Sequence, residues 1–287
     1  MSIKTILVPV DGTEAARPAL ETAFSVAKEF SAHVDVLHVS AAPKDAVPLL
    51  GEGMSGAMIE YAKKESGERA ASARRMFDDQ CARDSVSFAG TPSAEDKSSA
   101  AWVEVVGRDN EVVAQGGRLA DLIVAGRPTT DADPSATMVV NAALFETGRP
   151  VLVAPPPGSA TSAAVGGKVA IAWNLNAEAA RAVGAALPCL GSAESVVIVT
   201  AESERPSSGA GGELAPYLAW HGIAATTQIV PKSRRAVGEG LLGTCADIGA
   251  DMLVMGAYTH GRVRQLILGG VTNHVLAAAA IPVLMAH

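Results

Sequence analysis

The 287-residue chain predicts an α/β fold of two tandem doubly wound domains, each a five-stranded mostly parallel sheet with helices on both faces. Three observations carry that reading. The first is internal repetition: Ala120-Asp121-Leu122-Ile123-Val124-Ala125-Gly126 recurs as Ala250-Asp251-Met252-Leu253-Val254-Met255-Gly256. Arg149-Pro150-Val151-Leu152-Val153-Ala154 likewise recurs as Ile281-Pro282-Val283-Leu284-Met285-Ala286, and Glu14-Ala15-Ala16-Arg17 as Glu178-Ala179-Ala180-Arg181. Repeats that agree at both ends mark a duplicated structural unit. The second is that the apolar runs are short and nearly continuous, as strands buried on both faces require, with helix-length segments between them. The third is Pro155-Pro156-Pro157-Gly158-Ser159-Ala160-Thr161-Ser162, a proline-then-small-polar stretch that reads as an exposed linker. Together they divide the chain into a domain over 1–155, a linker over 156–166 and a domain over 167–287.

In the first half, Ile6 to Val10 is a strand stopped by Asp11. From Thr13 to Phe30, Ala16, Ala19, Leu20, Ala23, Phe24 and Ala27 fall at i, i+3, i+4 spacing, which gives a helix one apolar face. Val34 to Val39 is a second strand, followed by a longer helix whose apolar face carries Met58, Ala62, Ala70, Ala73, Phe77 and Cys81. Trp102 to Val106 is a third strand, Glu111 to Leu119 a helix, Leu122 to Ala125 a fourth strand and Val151 to Ala154 a fifth. The second half repeats this with strands near Val169 to Trp173, Ser195 to Thr200, Thr226 to Val230, Met252 to Met255 and Val283 to Met285. The last strand of each half is open to pairing with the other half, as an intrachain pseudo-dimer, or with a second chain, as a homodimer.

Composition narrows the classes of partner. A formal net charge of -7 with no Lys/Arg run longer than two residues opposes attraction to a phosphate backbone, so nucleic acid is excluded as the expected partner. Cys81, Cys189 and Cys245 lack any Cys-x-x-Cys or Cys/His ligand spacing, which indicates neither a zinc site nor a disulfide framework and fits a reducing cytoplasm. Met1 runs almost directly into the first strand without an apolar leader, and the longest apolar stretch, Val275 to Ala286, is too short to span a bilayer and contains Pro282. The expectation is a cytoplasmic protein without a membrane partner.

The chemistry concentrates near the C-terminus. Met252-Leu253-Val254-Met255-Gly256-Ala257-Tyr258-Thr259 reads as a buried strand feeding a loop, and Gly269-Gly270-Val271-Thr272 as a glycine turn into a helix start. Glycine lets an anion approach the backbone, and the amides of a helix N-terminus point at it with the positive end of the helix dipole. In an open α/β sheet ligands sit beyond the carboxyl ends of the strands, where the strand order reverses, and both this loop and the end of each half's first strand lie there.

The segment Ala250 to Met285 resembles the ATP-site signature of the universal stress protein family, which is Gly, two residues, Gly, nine residues, then Gly and Ser or Thr. Gly256 and Gly269 stand at the outer glycines, Thr259 replaces the middle glycine, and Gly270 replaces the hydroxyl residue, with Thr272 two positions further on. In that family an Asp at the end of the first strand faces adenine and ribose; Asp11 matches it in the first half and Asn174, in Ala172-Trp173-Asn174-Leu175, in the second. The alternative for both is an ordinary turn or helix-cap residue. The resemblance implies a universal stress protein of tandem, two-domain type that binds ATP, ADP or AMP, with or without Mg, through Ala172, Trp173, Asn174, Thr200, Met255, Gly256, Thr259, Arg262, Gly269, Gly270, Val271 and Thr272. It further implies a stress-response regulator or sensor acting on a regulatory protein that the sequence does not identify.

The first half lacks the cradle. After Gly126 it continues with acidic Asp131 and Asp133 and no glycine pair, and aligning the Pro-Val-Leu strands puts Thr137-Met138 opposite Gly269-Gly270. A methionine there is expected to obstruct the space an oxyanion needs, leaving a degenerate partner domain. Arg262 and Arg264 are placed to neutralise phosphates or to form a solvated face; His274 is read as capping or packing, and His38 has no identifiable partner. No nucleophile elbow, zinc-hydrolase motif or Walker lysine is present, so the chain reads as a binder rather than an enzyme. Two alternatives stay open: a nucleotide-free interaction module with a structural glycine loop, and a slow nucleotide hydrolase.

Overall fold

The computed structural model describes residues 2–41, 56–91, 97–128, 134–159, 165–201, 212–230, 237–258 and 270–287. In the N-terminal half these form β1 (Thr5–Pro9), a 3-10 turn (Glu14–Ala16), α1 (Arg17–Phe30), β2 (His33–Ser40), α2 (Gly56–Asp84), β3 (Ser87–Phe88), β4 (Ser99–Val106), α3 (Asp109–Gly117), β5 (Leu122–Ala125), α4 (Pro134–Glu146) and β6 (Val151–Val153). The C-terminal half contributes β7 (Lys168–Ala172), α5 (Ala177–Ser192), β8 (Ser195–Ala201), α6 (Leu214–Trp220), β9 (Ala225–Val230), α7 (Val237–Asp247), β10 (Met252–Gly256), α8 (Val271–Ala278) and β11 (Val283–Ala286).

The strands make one continuous sheet in the order β3-β4-β2-β1-β5-β6-β11-β10-β7-β8-β9. Every pairing is parallel except one: β6 runs antiparallel to β11, with Val153, Leu152 and Val151 opposite Val283, Leu284 and Met285. The halves therefore join edge to edge within the chain, and each covers the strand edge the other would leave open. Strand order reverses between β1 and β5 and again between β7 and β10, which creates a crevice at the carboxyl edge of each half.

Alternation along the strands sorts the core into two layers. Ile6, Val8, Val34, Val169, Ile171 and Ile198 pack under α1, α2, α5 and α6 on one face. Leu7, Ile123, Val151, Ala170, Leu253 and Val283 pack under α3, α4, α7 and α8 on the other. Because both faces are covered, the strands need the unbroken apolar runs seen in the sequence. The repeated Ala-Asp pair has a structural use in each half: the Asp121 carboxylate accepts from the Lys4 and Thr5 amides at 2.9 and 3.0 Å, and Asp251 from the Gly166 and Lys168 amides at 3.0 Å each. Each Asp so fixes the start of its half's first strand.

The N-terminal half carries the five strands expected from the sequence and, in addition, the two-residue β3 at the outer edge. Ser87 and Phe88 are both exposed, so no apolar alternation announces that strand. The helix expected from Thr13 begins instead as a 3-10 turn, because Pro18 fits the first turn of α1, where its missing amide proton costs nothing. His38 has partners after all. Its Nδ1 lies 2.8 Å from the Val10 carbonyl and its ring stacks on Trp102 at 5.9 Å, which makes it a core residue of the first half.

Candidate functional site

A cavity of about 420 Å³ opens at the carboxyl edge of the second half, between the ends of β7 and β10. Its polar floor comes from the turn after β7. Asn174 Oδ1 accepts from the Asn176 amide at 3.2 Å, an Asx turn that swings the chain into α5 and holds Leu175 at φ +65°. Asp11 does the same in the first half, accepting from the Thr13 amide at 2.9 Å, with Gly12 at φ +85°. The turn-residue reading thus applies to both positions, and Asn174 in addition lines the cavity, with the amide nitrogen uncommitted by that bond.

The apolar side of the cavity is formed by Val199 of β8, Val230 of β9, and Val237 and Leu241 of α7; Trp173 also lines the cavity while packing against the core layer on the other face of the sheet. Trp173 Nε1 is buried and has no hydrogen-bond partner. An indole N–H left unsatisfied in this way costs about 1–3 kcal/mol, so an acceptor beside it would be stabilising.

The opposite end is the start of α8. Gly270 is its N-cap, at φ -77° and ψ 169°, and a Cβ built there meets nothing within 4 Å among the described residues. The backbone itself therefore does not demand glycine. Val271, Thr272 and Asn273 follow, with first-turn amides of the kind that attract anions. Tyr258 ties this end to the strand. Its amide donates to Thr272 Oγ1 at 3.3 Å and its hydroxyl to Asn273 Oδ1 at 3.2 Å, while burial pushes its phenol above the usual range. Gly256 is a different matter. A Cβ there would stand 2.5 Å from the Ala179 nitrogen, so its glycine serves the close passage of β10 against the first turn of α5.

Of the residues expected from the sequence, Ala172, Trp173, Asn174, Met255, Gly256, Gly270, Val271 and Thr272 all line this cavity. Thr200 does not. Strand alternation puts it with Ile198 on the other face of β8, and it is its neighbours Val199 and Ala201 that reach the cavity. Its hydroxyl is buried without a partner. Thr259, Arg262 and Gly269, together with Arg264 and His260, lie outside the described residues. Thr272 sits where the hydroxyl was expected, but its oxygen already receives the Tyr258 amide. His274 packs: a Cβ on Gly238 of α7 would stand 2.8 Å from its ring. The reading from sequence missed Asn176, Val199, Ala201, Val230, Val237, Leu241, Tyr258 and Asn273. The i, i+4 pair Val237 and Leu241 was a visible signal for α7, whereas the others need the fold.

The equivalent place in the first half is nearly closed, at about 70 Å³. Asp11, Asp109, Arg127, Ser135, Ala136 and Val139 are among the residues that crowd it. Met138, expected to obstruct it, is 52% exposed and does not line it. What fills the space is the opening of α4, which by the Pro150/Pro282 alignment begins five residues earlier than α8 does. Burial raises the Asp109 carboxyl above its ordinary range, partly opposed by the Ser135 hydroxyl, which donates to it at 3.1 Å.

A larger cavity, about 860 Å³, lies at the opposite edge of the sheet, between α1, the end of α2 and the 165–167 turn. Its polar groups engage one another: Arg83 with Glu21 at 2.9 Å, Gln80 with Asp84 at 2.7 Å, Ser192 with Glu29, and Asp251 with backbone amides. Among the described residues no group of three or more His, Cys, Asp or Glu is arranged to hold a metal ion, and no helix is long and apolar enough to cross a membrane.

Comparison with known proteins adds a family. The model of the Universal stress protein family matches twice, over residues 2–132 and 129–287. Among solved structures, a universal stress protein from Archaeoglobus fulgidus DSM 4304 superposes with a TM-score of 0.71 at 17% identity, covering 98% of this chain and 97% of that one. A functionally unknown protein from Pseudomonas aeruginosa PAO1 gives a TM-score of 0.55 at 15% identity, covering 98% and 92%. A putative universal stress protein from Pseudomonas aeruginosa UCBPP-PA14 gives 0.55 at 16% identity with the same coverage. At these identities the likeness is one of fold. No curated protein matches the sequence.

Proposed function

The chain belongs to the universal stress protein family as a tandem member, and from that premise we propose that it binds one adenine nucleotide in the cavity of its C-terminal half, as a regulator or sensor in a stress response. The observation that carries this reading is the cavity itself. At about 420 Å³ it falls in the range of small-molecule sites, roughly 300–1,000 Å³, whereas its counterpart at about 70 Å³ falls far below. Its chemistry is graded in the same sense as the ligand. The apolar wall of Val199, Val230, Val237 and Leu241 suits a planar base, Asn174 and Asn176 suit ribose or base edges, and the α8 N-terminus suits phosphate. ATP, ADP and AMP all have this layout, with Mg riding on the phosphates when two or three are present. Three free, buried cysteines support a cytoplasmic setting, with burial pushing their thiols up to about 11 or 12. The proline-rich turn after β6 supports domains over 1–155 and 167–287 with a linker over 156–166.

Mass spectrometry of small molecules released from the purified, denatured protein is the test. An adenine nucleotide near one per chain is expected. Protein that releases none and shows no ATP-dependent rise in melting temperature contradicts the reading, because a ligand that binds only the native state must raise the transition.

A further inference from the structure

Arg127 follows Gly126 where, in the second half, Ala257 follows Gly256. The residue that would open the first half's own ligand loop reaches instead across the seam. It is 4% exposed, and its four described partners are all backbone carbonyls. Nε donates to Ala154 at 3.0 Å, Nη1 to Val275 at 3.1 Å and Leu276 at 2.8 Å, and Nη2 to Ile281 at 3.1 Å. Burial lowers its guanidinium only to about 10, so it is charged at neutral pH.

Three of those carbonyls belong to the last turn of α8 and the chain just after it, where a cation complements the helix dipole; the Val275 carbonyl also accepts the Ala279 amide at 2.9 Å, so Arg127 adds to that bond and does not replace it. The first turn of the same helix is the anion end of the C-terminal cavity. An eight-residue helix spans only about 12 Å, so an anchor at one end sets the position of the other. A seam that needed only adhesion has an apolar alternative at such a position, since a buried charge gives up its hydration.

A second contact from the first half meets the cavity from the side. The Phe145 ring of α4 lies 5.3 Å from that of Tyr258, the residue bonded to both Thr272 and Asn273. Phe145 also meets His287 edge-on at 4.6 Å, and His287 Nδ1 lies 3.0 Å from the Ala257 carbonyl.

We propose that Arg127, supported by Phe145, is a positioning residue for the C-terminal cavity: the first half, whose equivalent crevice measures only about 70 Å³ among the described residues, fixes the helix that forms the anion end of the other. This rests on the reading of that cavity as a nucleotide site. It predicts that the two halves are functionally unequal and that the second half is incomplete without the first.

The experiment compares the full-length wild type with Arg127→Met, Arg127→Lys and, as a control, Arg149→Met, whose arginine donates to the Arg118 carbonyl within the first half. Calorimetric titration with ATP on natively folded protein is combined with hydrogen exchange of the ligand-free chains. Arg127→Met is expected to raise the dissociation constant between about two- and thirtyfold at unchanged stoichiometry. Faster exchange is expected at Tyr258 and through α8, with β7, β8 and the first half unaffected. Lysine, which cannot span all four carbonyls, is expected to fall between, and Arg149→Met to match the wild type. Unchanged affinity with unchanged α8 exchange overturns the proposal, and so does a loss of protection spread evenly over both halves. Should Arg127→Met not fold, Arg127→Lys carries the same two outcomes. If the wild type binds no nucleotide, the function reading fails, and the exchange pattern alone decides the role of Arg127.

Discussion

The crevices after β1 and after β7 start from the same plan and end differently. Both lie where a parallel strand order reverses, both open on an Asx turn with a left-handed residue behind it, and both have a glycine at the end of the neighbouring strand. Yet one encloses about 420 Å³ and the other about 70 Å³. The scaffold is common to both, and the difference lies in what enters the crevice. In the first half a 13-residue α4 brings Ser135, Ala136 and Val139 inward, and Asp11, Asp109 and Arg127 add ionisable groups. In the second, among the described residues, an eight-residue α8 stops short behind Gly270, and no carboxylate or basic side chain lines the space. Duplication supplies two crevices, and among the described residues the earlier start of α4 is what narrows the first.

The comparison breaks first at the strand-end glycines. Gly256→Ala drives a Cβ to 2.5 Å from the Ala179 nitrogen, against backbone that cannot swing away, whereas at Gly126 the nearest such atom, the Ala15 carbonyl oxygen, is 3.7 Å off. Gly256→Ala is therefore expected to cost about 1–3 kcal/mol as overpacking, and Gly126→Ala to be nearly neutral. Chemical denaturation of the two variants reads this directly. Equal losses would mean that α1 and α5 pack alike and that the halves differ less than the crevices suggest.

Next comes the turn residue. Asn174→Leu is expected to weaken nucleotide binding by about 1–3 kcal/mol, the cost of leaving a buried partner unsatisfied, while Asp11→Leu leaves affinity unchanged. Because both substitutions remove an Asx turn, each serves as the stability control for the other. An affinity loss with Asp11→Leu alone would move the site to the first half.

Much of this was legible in the sequence. The repeats gave the duplication, the continuous apolar runs gave the parallel strands, and the glycine spacing pointed to the end of β10 and the start of α8. What escaped has physical reasons. Ser87 and Phe88 form a strand too short to show a period. The early start of α4 is marked only by Pro134, which also suits a loop. Arg127 makes its bonds to Val275 and Leu276 across 148 and 149 residues, so nothing local signals that it is buried. Thr200 was misplaced by a single position because strand faces alternate with every residue.

A smaller effect belongs to Asp109. Its carboxyl is raised by burial, so the stability it contributes is fully present below the unfolded value of about 3.9 and is lost as pH rises through the folded value. Asp109→Asn is expected to raise the melting temperature near neutral pH and to make no difference below about pH 4. A gain that persists in acid would mean that the side chain matters through its shape and not its charge. No ionised carboxylate lines the described part of the second cavity, so no matching gain is available there.

Titration of ATP into the wild type and into Gly270→Glu tests the central claim most directly. The N-cap has an ordinary φ of -77° and, among the described residues, no atom within 4 Å of the missing side chain, so glutamate is expected to leave the ligand-free melting temperature within about 2 °C of the wild type. Its carboxylate would nevertheless stand at the anion end of the cavity and repel phosphate by about 1 kcal/mol or more even when well solvated. The account predicts one ATP per chain for the wild type and none for Gly270→Glu. Two equivalent sites in the wild type, or unimpaired binding by Gly270→Glu, would contradict it.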